Sequence, residues 1–274
     1  YAGNGLDSLQ KWDGSTWSSV PNTPKAGALA VMAVDQGNRM VAGRFLTTDG
    51  GPDGSPSSSN PSRVYFSDPG DPETWGTNNY IDFTPGDGEA VQAIVAWREF
   101  VFVFKETKFF RVDGSSEDAA GNPVFLYTTF DTGVGLATPR AITAHNSGVY
   151  FLSRTGIYRT NGGEAEYISE PVEPIFLGGA SPYYTGGTLL ASQLDNCAMC
   201  GCADGKRIYL GFTTSGTSNN RALLYDTEQG WWSLYDFPFA AGVPFQIDSA
   251  PELVFAGGSH IYRHNSSLTN DAGA

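Results

Sequence analysis

Short runs of apolar residues alternating with polar ones, broken every few positions by glycine, proline, asparagine or aspartate, fill most of the chain, and residues 91–130 show the pattern most completely. Four runs stand there, at 91–97, 100–105, 108–112 and 124–130, each rich in Val, Ile, Phe, Tyr or Trp. The breaks between the first three are Arg98-Glu99 and Glu106-Thr107, and Asp113-Gly114 reads as a tight turn after the third. A period of two sends successive side chains to opposite faces, so the stretch predicts an antiparallel four-stranded meander. Four strands in about forty residues is the size of one blade of a β-propeller.

The rest of the chain repeats this unit. Residues 9–12 and 16–20 flank Asp13-Gly14 as a hairpin, and strands follow at 28–34, 39–45, 63–67 and 80–84. Beyond residue 130 the pattern returns at 141–144, 148–153, 156–160 and 166–168, then at 197–203, 206–213, 221–226 and 231–236, and last at 245–248, 253–256 and 260–264. Residues 46–60, built from Gly, Pro, Ser and Asp, read as an exposed mobile insertion, and 169–190 as a long connection across one face of the ring. Almost no helix is expected, because no window sustains an i, i+3, i+4, i+7 apolar pattern.

The expected fold is therefore all-β: a β-propeller of about five four-stranded antiparallel blades, forming a single domain over 1–265, with 266–274 a frayed polar tail. The N-terminal hairpin is expected to complete the C-terminal sheet, so that N- and C-terminal strands close the ring and remove its exposed edges. The likeness of YAGNGLDSLQKW to VFAGGSHIYRH keeps a sixth, split blade as the alternative.

Composition sharpens this picture. Aromatics at 13%, charged residues at 16%, 34 glycines and 16 prolines suit many short strands and tight turns. The net charge of −13, from 29 acidic and 16 basic residues without a Lys/Arg cluster, argues against sequence-specific nucleic-acid binding. An acidic wall would instead repel a polyanion and let DNA pass without holding it. No run of eighteen apolar residues predicts a membrane helix, so no membrane insertion is expected, and no signal-peptide pattern opens the chain.

Candidate chemistry is sparse. Cys197, Cys200 and Cys202 form C-x-x-C-x-C, but on a strand Cys200 and Cys202 face one way and Cys197 the other, and the chain has only His145, His260 and His264 to complete a metal set. Buried small apolar residues are the expected role, and the odd cysteine count argues against a disulfide framework. Asp49, Asp53, Asp68, Asp71 and Glu73 offer oxygen ligands for calcium, yet turn chemistry accounts for them. Residues 85–88, PGDG, form a turn without the following helix that a phosphate loop needs, and nothing around His145 selects a catalytic serine. Trp75, Tyr80, Tyr183, Tyr184, Trp231 and Trp232 could stack on sugars if exposed, although blade packing consumes most propeller aromatics. No catalytic, cofactor or metal residue is assigned.

Two resemblances follow from these residues. LQKWDGSTW resembles the Asp-box turn of sialidase-like propellers, whose role there is structural; the scattered arginines supply no sialidase carboxylate site. Residues 64–114 resemble a family of bacteriophage virion proteins with three marks: a "(Y/F)-S-D-P-G-D-P-E-x-W" strand and turn, a "(Y/F)-I-D-(V/F)-x-P-G-D-G-E" segment, and a hairpin with a Phe-Lys pair. Ser67, Asp68, Pro69, Gly70 and Asp71 match the first, Asp82, Pro85, Gly86, Asp87, Gly88 and Glu89 the second, and Phe104 and Lys105 the third. That resemblance implies a non-enzymatic structural component of a virion tail or neck, nozzle-like or a minor tail protein, assembling around the tail axis. Its partners would be other tail or neck proteins, copies of itself and, through exposed loops, the host surface. A carbohydrate-binding propeller recognising host-surface glycans is the alternative.

Overall fold

The computed structural model describes residues 1–33, 37–47, 51–52, 60–117, 119, 123–179, 187–202, 204–247 and 250–264. These residues form an all-β structure of six antiparallel sheets with few helical turns, and it divides into two compact units, Tyr1–Leu136 and Ala137–Ala274.

In the first unit β1 (Gln10–Trp12) and β2 (Trp17–Ser19) make a hairpin. A four-stranded sheet follows from β3 (Ala26–Val31), β4 (Met40–Phe45), β5 (Arg63–Phe66) and β6 (Tyr80–Asp82), then another from β7 (Ala93–Trp97), β8 (Phe100–Phe104), β9 (Phe109–Glu117) and β10 (Pro123–Phe130). Each strand pairs with the next in sequence, the meander expected. Alternation sorts β8 cleanly. Val101 and Val103 enter the core shared with the preceding sheet, beside Val41, Val64, Phe66 and Ile94, while Phe102 and Phe104 lie on the opposite face with Phe109. Each such fully buried side chain contributes about 1.5–3 kcal/mol.

The second unit holds β11 (Ile142–His145), β12 (Gly148–Ser153), β13 (Gly156–Thr160) and β14 (Glu166–Tyr167) in one sheet and β15 (Ala198–Gly201), β16 (Arg207–Phe212), β17 (Arg221–Asp226) and β18 (Trp232–Tyr235) in the next. A three-stranded sheet of β19 (Ala241–Ile247), β20 (Ala250–Gly257) and β21 (His260–His264) completes it. Tyr150, Leu152, Met199, Leu210 and Leu223 fill the space between the first two sheets, and Cys200, Tyr209, Leu224, Phe239 and Leu253 the space between the last two.

Several local expectations are corrected. Asp113-Gly114 is no turn: β9 runs through it, and the register slips where Leu126 faces Gly114 and Tyr127 faces Val112, a β-bulge that Gly114 permits at φ 141°. The last sheet begins at Ala241 and pairs through Pro244 and Pro251, residues that read as strand breakers in sequence. The N-terminal hairpin is a two-stranded sheet of its own among the described ladders, not the completing strand of the C-terminal sheet. Leu9 decides its position: fully buried with Ala26, Met40, Tyr65 and Trp75, it ties the hairpin to the sheet that follows. The long connection at 169–190 contains a helical turn at Glu170–Val172 and the short α1 (Pro174–Leu177), and a further helical turn at Ala191–Asn196 follows it. Most of the expected insertion at 46–60, and the tail at 266–274, lie outside the described residues.

The link from β18 to β19 leaves no room for side chains beneath it. A Cβ on Gly211 would stand 1.8 Å from the Phe239 carbonyl oxygen, and one on Gly257 1.6 Å from that of Pro238. The same Phe239 carbonyl accepts from Asn219 Nδ2 at 2.7 Å, so it cannot shift without losing a buried bond. Gly211→Ala should therefore destabilise the protein by roughly 2–3 kcal/mol. A urea-unfolding midpoint unchanged from that of the parent would contradict this.

Candidate functional site

The residues that carry the virion-protein resemblance meet in the first unit. After β6, Thr84 (φ 44°), Gly86 (φ 87°) and Gly88 (φ 81°) turn the chain so that the Asp87 carboxylate meets Lys105. The Asp87 carboxylate accepts from Thr84 Oγ1 at 2.7 Å and from the Glu89 amide at 3.0 Å. Lys105, the residue following β8, reaches it from the next sheet. Its ammonium donates to both Asp87 oxygens at 2.9 Å, to Ser62 Oγ at 2.8 Å and to Thr84 Oγ1 at 3.2 Å. The Lys105 side chain is 0% exposed, so this is a buried cation satisfied by oxygens from the preceding sheet's loops.

The same loop is held twice more. Glu89 accepts from Thr107 Oγ1 at 2.5 Å and from its amide at 3.2 Å, and Lys108 lies 3.5 Å from Asp87 and 3.4 Å from Asp131. Burial by itself would push the Asp87 carboxyl up, but the hydrogen bonds from Lys105, Thr84 and the Glu89 amide outweigh it and hold the group well below the usual carboxylate range.

The other matching residues also shape and join strands. Asp82 binds Arg63 through two bonds of 2.8 and 2.9 Å, and the Arg63 guanidinium lies 3.6 Å from the Tyr80 ring centre. Ser67 Oγ accepts from the Met40 amide at 2.9 Å. Asp68 accepts from Asn79 Nδ2 at 3.0 Å, and Asp71 caps its turn through the Glu73 amide at 2.9 Å and Thr74 Oγ1 at 2.8 Å. Glu73 pairs with Lys11 and Tyr1, anchoring the hairpin. Within that hairpin Asp13 accepts from the backbone and hydroxyl groups of both Ser15 and Thr16, the turn-forming role its sequence suggested. Asp49 and Asp53 lie outside the described residues.

The three cysteines separate as strand alternation requires. Cys197 joins the core between the sheets of β14 and β15, whereas Cys200 and Cys202 face the core beneath β19 and β20. All are buried thiols; burial pushes Cys197 and Cys200 up to about 12 and raises Cys202. Little thiolate exists near neutrality in such surroundings. Among the described residues no three His, Cys, Asp or Glu side chains are grouped to hold a metal ion. His145 ends β11 with its Nδ1 3.4 Å from Ser147 Oγ, and that hydroxyl lies 2.8 Å from the Tyr150 hydroxyl.

The aromatics proposed for stacking divide sharply. Trp75 is buried and donates to the Pro72 carbonyl at 2.9 Å, Tyr80 lies beneath Arg63, and Tyr183 and Tyr184 fall outside the described residues. Trp231 is 68% exposed. With Trp232, Gly230 and Leu234 it forms one side of an open cleft of about 480 Å³ whose other side is Pro171, Val172 and Ile175. Apolar periodicity does not mark the facing wall. Its signal was Pro171 and Pro174 at the starts of the helical turns, where a missing amide hydrogen costs nothing.

No family model matches the chain, and no curated protein matches it. Among solved structures, it is similar to a crystal structure named "Putative exported protein" from Bacteroides fragilis, at 10% identity over 90% of this chain and 82% of that one, with a TM-score of 0.28. So low a TM-score carries no argument about fold or function.

Asp87 makes a pH prediction. Its folded carboxyl titrates below the ordinary value of about 3.9, so the unfolded chain takes up the proton first. The stabilisation it gives is complete above about pH 4 and is lost as pH falls below that. Asp87→Asn should be less stable than the parent at pH 6 and should lose less on acidification, because the slopes from other carboxylates such as Asp13 and Asp71 are common to both. Urea midpoints between pH 6 and pH 2.5 measure this, and parallel curves would refute it.

Proposed function

We propose that this chain is a β-propeller with its successive meanders as blades, and that it serves as a non-enzymatic structural component of a bacteriophage virion, nozzle-like or a minor tail protein in the tail or neck. The observation that carries the proposal is the mechanical role of the resemblance-bearing residues. Asp87, Glu89 and Lys105 lock one sheet to the next, and Asp82, Ser67 and Asp71 shape the strands between. Side chains spent on joining blades suit a module whose task is rigidity.

The charge of −13 supports the same reading, since an acidic wall lets DNA slide past without capture. Assembly would use copies of the chain repeated around the tail axis, with other tail or neck proteins above and below. No helix among the described residues is long and apolar enough to cross a membrane.

Sedimentation velocity and electron microscopy of the purified chain, with peptide mass spectrometry of virions that encode it, test the proposal. Ring-shaped oligomers and a stoichiometric presence in the particle are expected. A chain that stays monomeric at high concentration and is absent from virions would overturn it.

A further inference from the structure

Independently of any place in a virion, we infer that the cleft between Trp231–Trp232 and Pro171–Ile175 binds a neutral glycan. Its volume of about 480 Å³ falls in the range of about 300–1,000 Å³ usual for ligand sites. The platform is pre-formed. Trp232 is held against Tyr225 with ring centres 4.5 Å apart, and the opposite wall is fixed where the Leu189 amide donates to the Ile175 carbonyl at 2.7 Å. Trp231 leaves 68% of its surface uncovered above this floor.

The polar atoms select the ligand class. Neither indole N–H, of Trp231 or Trp232, has a hydrogen-bond partner among the described residues. An aliphatic guest that covered either donor would leave it unsatisfied, which is costly. A pyranose lays its C–H face on an indole and presents hydroxyl oxygens around its rim, matching both features. Charge then divides the sugars. No Lys or Arg lines the cleft, exposed Glu170 and Glu173 flank Pro171 and Val172, and the chain as a whole carries −13. Sialylated or uronic-acid chains would enter against that field, and neutral ones would not.

The test is an array of neutral hexose and N-acetylhexosamine oligosaccharides beside polysialic acid and oligogalacturonate, followed by titration of tryptophan fluorescence with the neutral binders. Trp231→Ala, at an exposed position, should keep the parent's unfolding midpoint and weaken neutral-glycan binding by at least about tenfold, equivalent to ~1.4 kcal/mol. Trp231→Phe, which keeps a ring, should retain part of it. The inference fails if no neutral oligosaccharide binds at millimolar concentration, if only the anionic chains bind, or if Trp231→Ala binds like the parent. It also fails if that variant changes the sedimentation coefficient while no sugar binds, because the cleft would then belong to a protein contact.

Discussion

A buried ammonium group sets the terms for the first half of this protein. Lys105 has no exposed side-chain surface, and removing a cation from water costs several kcal/mol unless its hydrogen bonds are replaced. Every replacement comes from the neighbouring sheet: Ser62 ahead of β5, and Thr84 and Asp87 after β6. The oxygens converge only at one relative placement of the two sheets. Sliding them would strip the cation of its partners, and so the apolar interlayer of Val41, Val64, Ile94, Val101 and Val103 is held in a single register. Hydrophobic burial supplies the driving force, and the ion pair supplies the placement.

Much of this fold is legible from side-chain alternation. The four strands around β8 and the sheets of the second half lie within a few residues of where apolar periodicity puts them, and the opposite facing of Cys197 and Cys200 follows from the same period of two. Failures occur where one residue type serves two backbone purposes. Asp-Gly closes hairpins, yet at 113–114 it makes a bulge, because the partner strand continues alongside it. Proline ends most strands, yet Pro244 and Pro251 sit within β19 and β20. The count of strands per sheet points the hairpin β1–β2 to the C-terminal sheet, whereas one fully buried side chain, Leu9, places it against β3 and β4.

The candidate sites show the same division. The acidic turn and the Phe-Lys pair stand out in the sequence, but their pairing across 18 residues depends on how two sheets stack, which no local rule encodes. Trp231 and Trp232 were conspicuous by type alone. Their cleft depends on a wall contributed from 171–175, brought opposite by the packing of α1 and its Ile175 into the core. The two features divide the labour, one fixing sheets to each other and the other offering an unfilled aromatic surface.

The most direct measurement is a double-mutant cycle between Lys105→Met and Asp87→Leu, followed by urea unfolding at neutral pH. If the ammonium is held by this carboxylate, Asp87→Leu alone leaves a buried cation unpaired and should cost about 3–5 kcal/mol. The double variant should then recover stability relative to that single change, with a coupling of roughly 2 kcal/mol or more. Losses that add to within about 0.5 kcal/mol would contradict the claim that this pair fixes the two sheets.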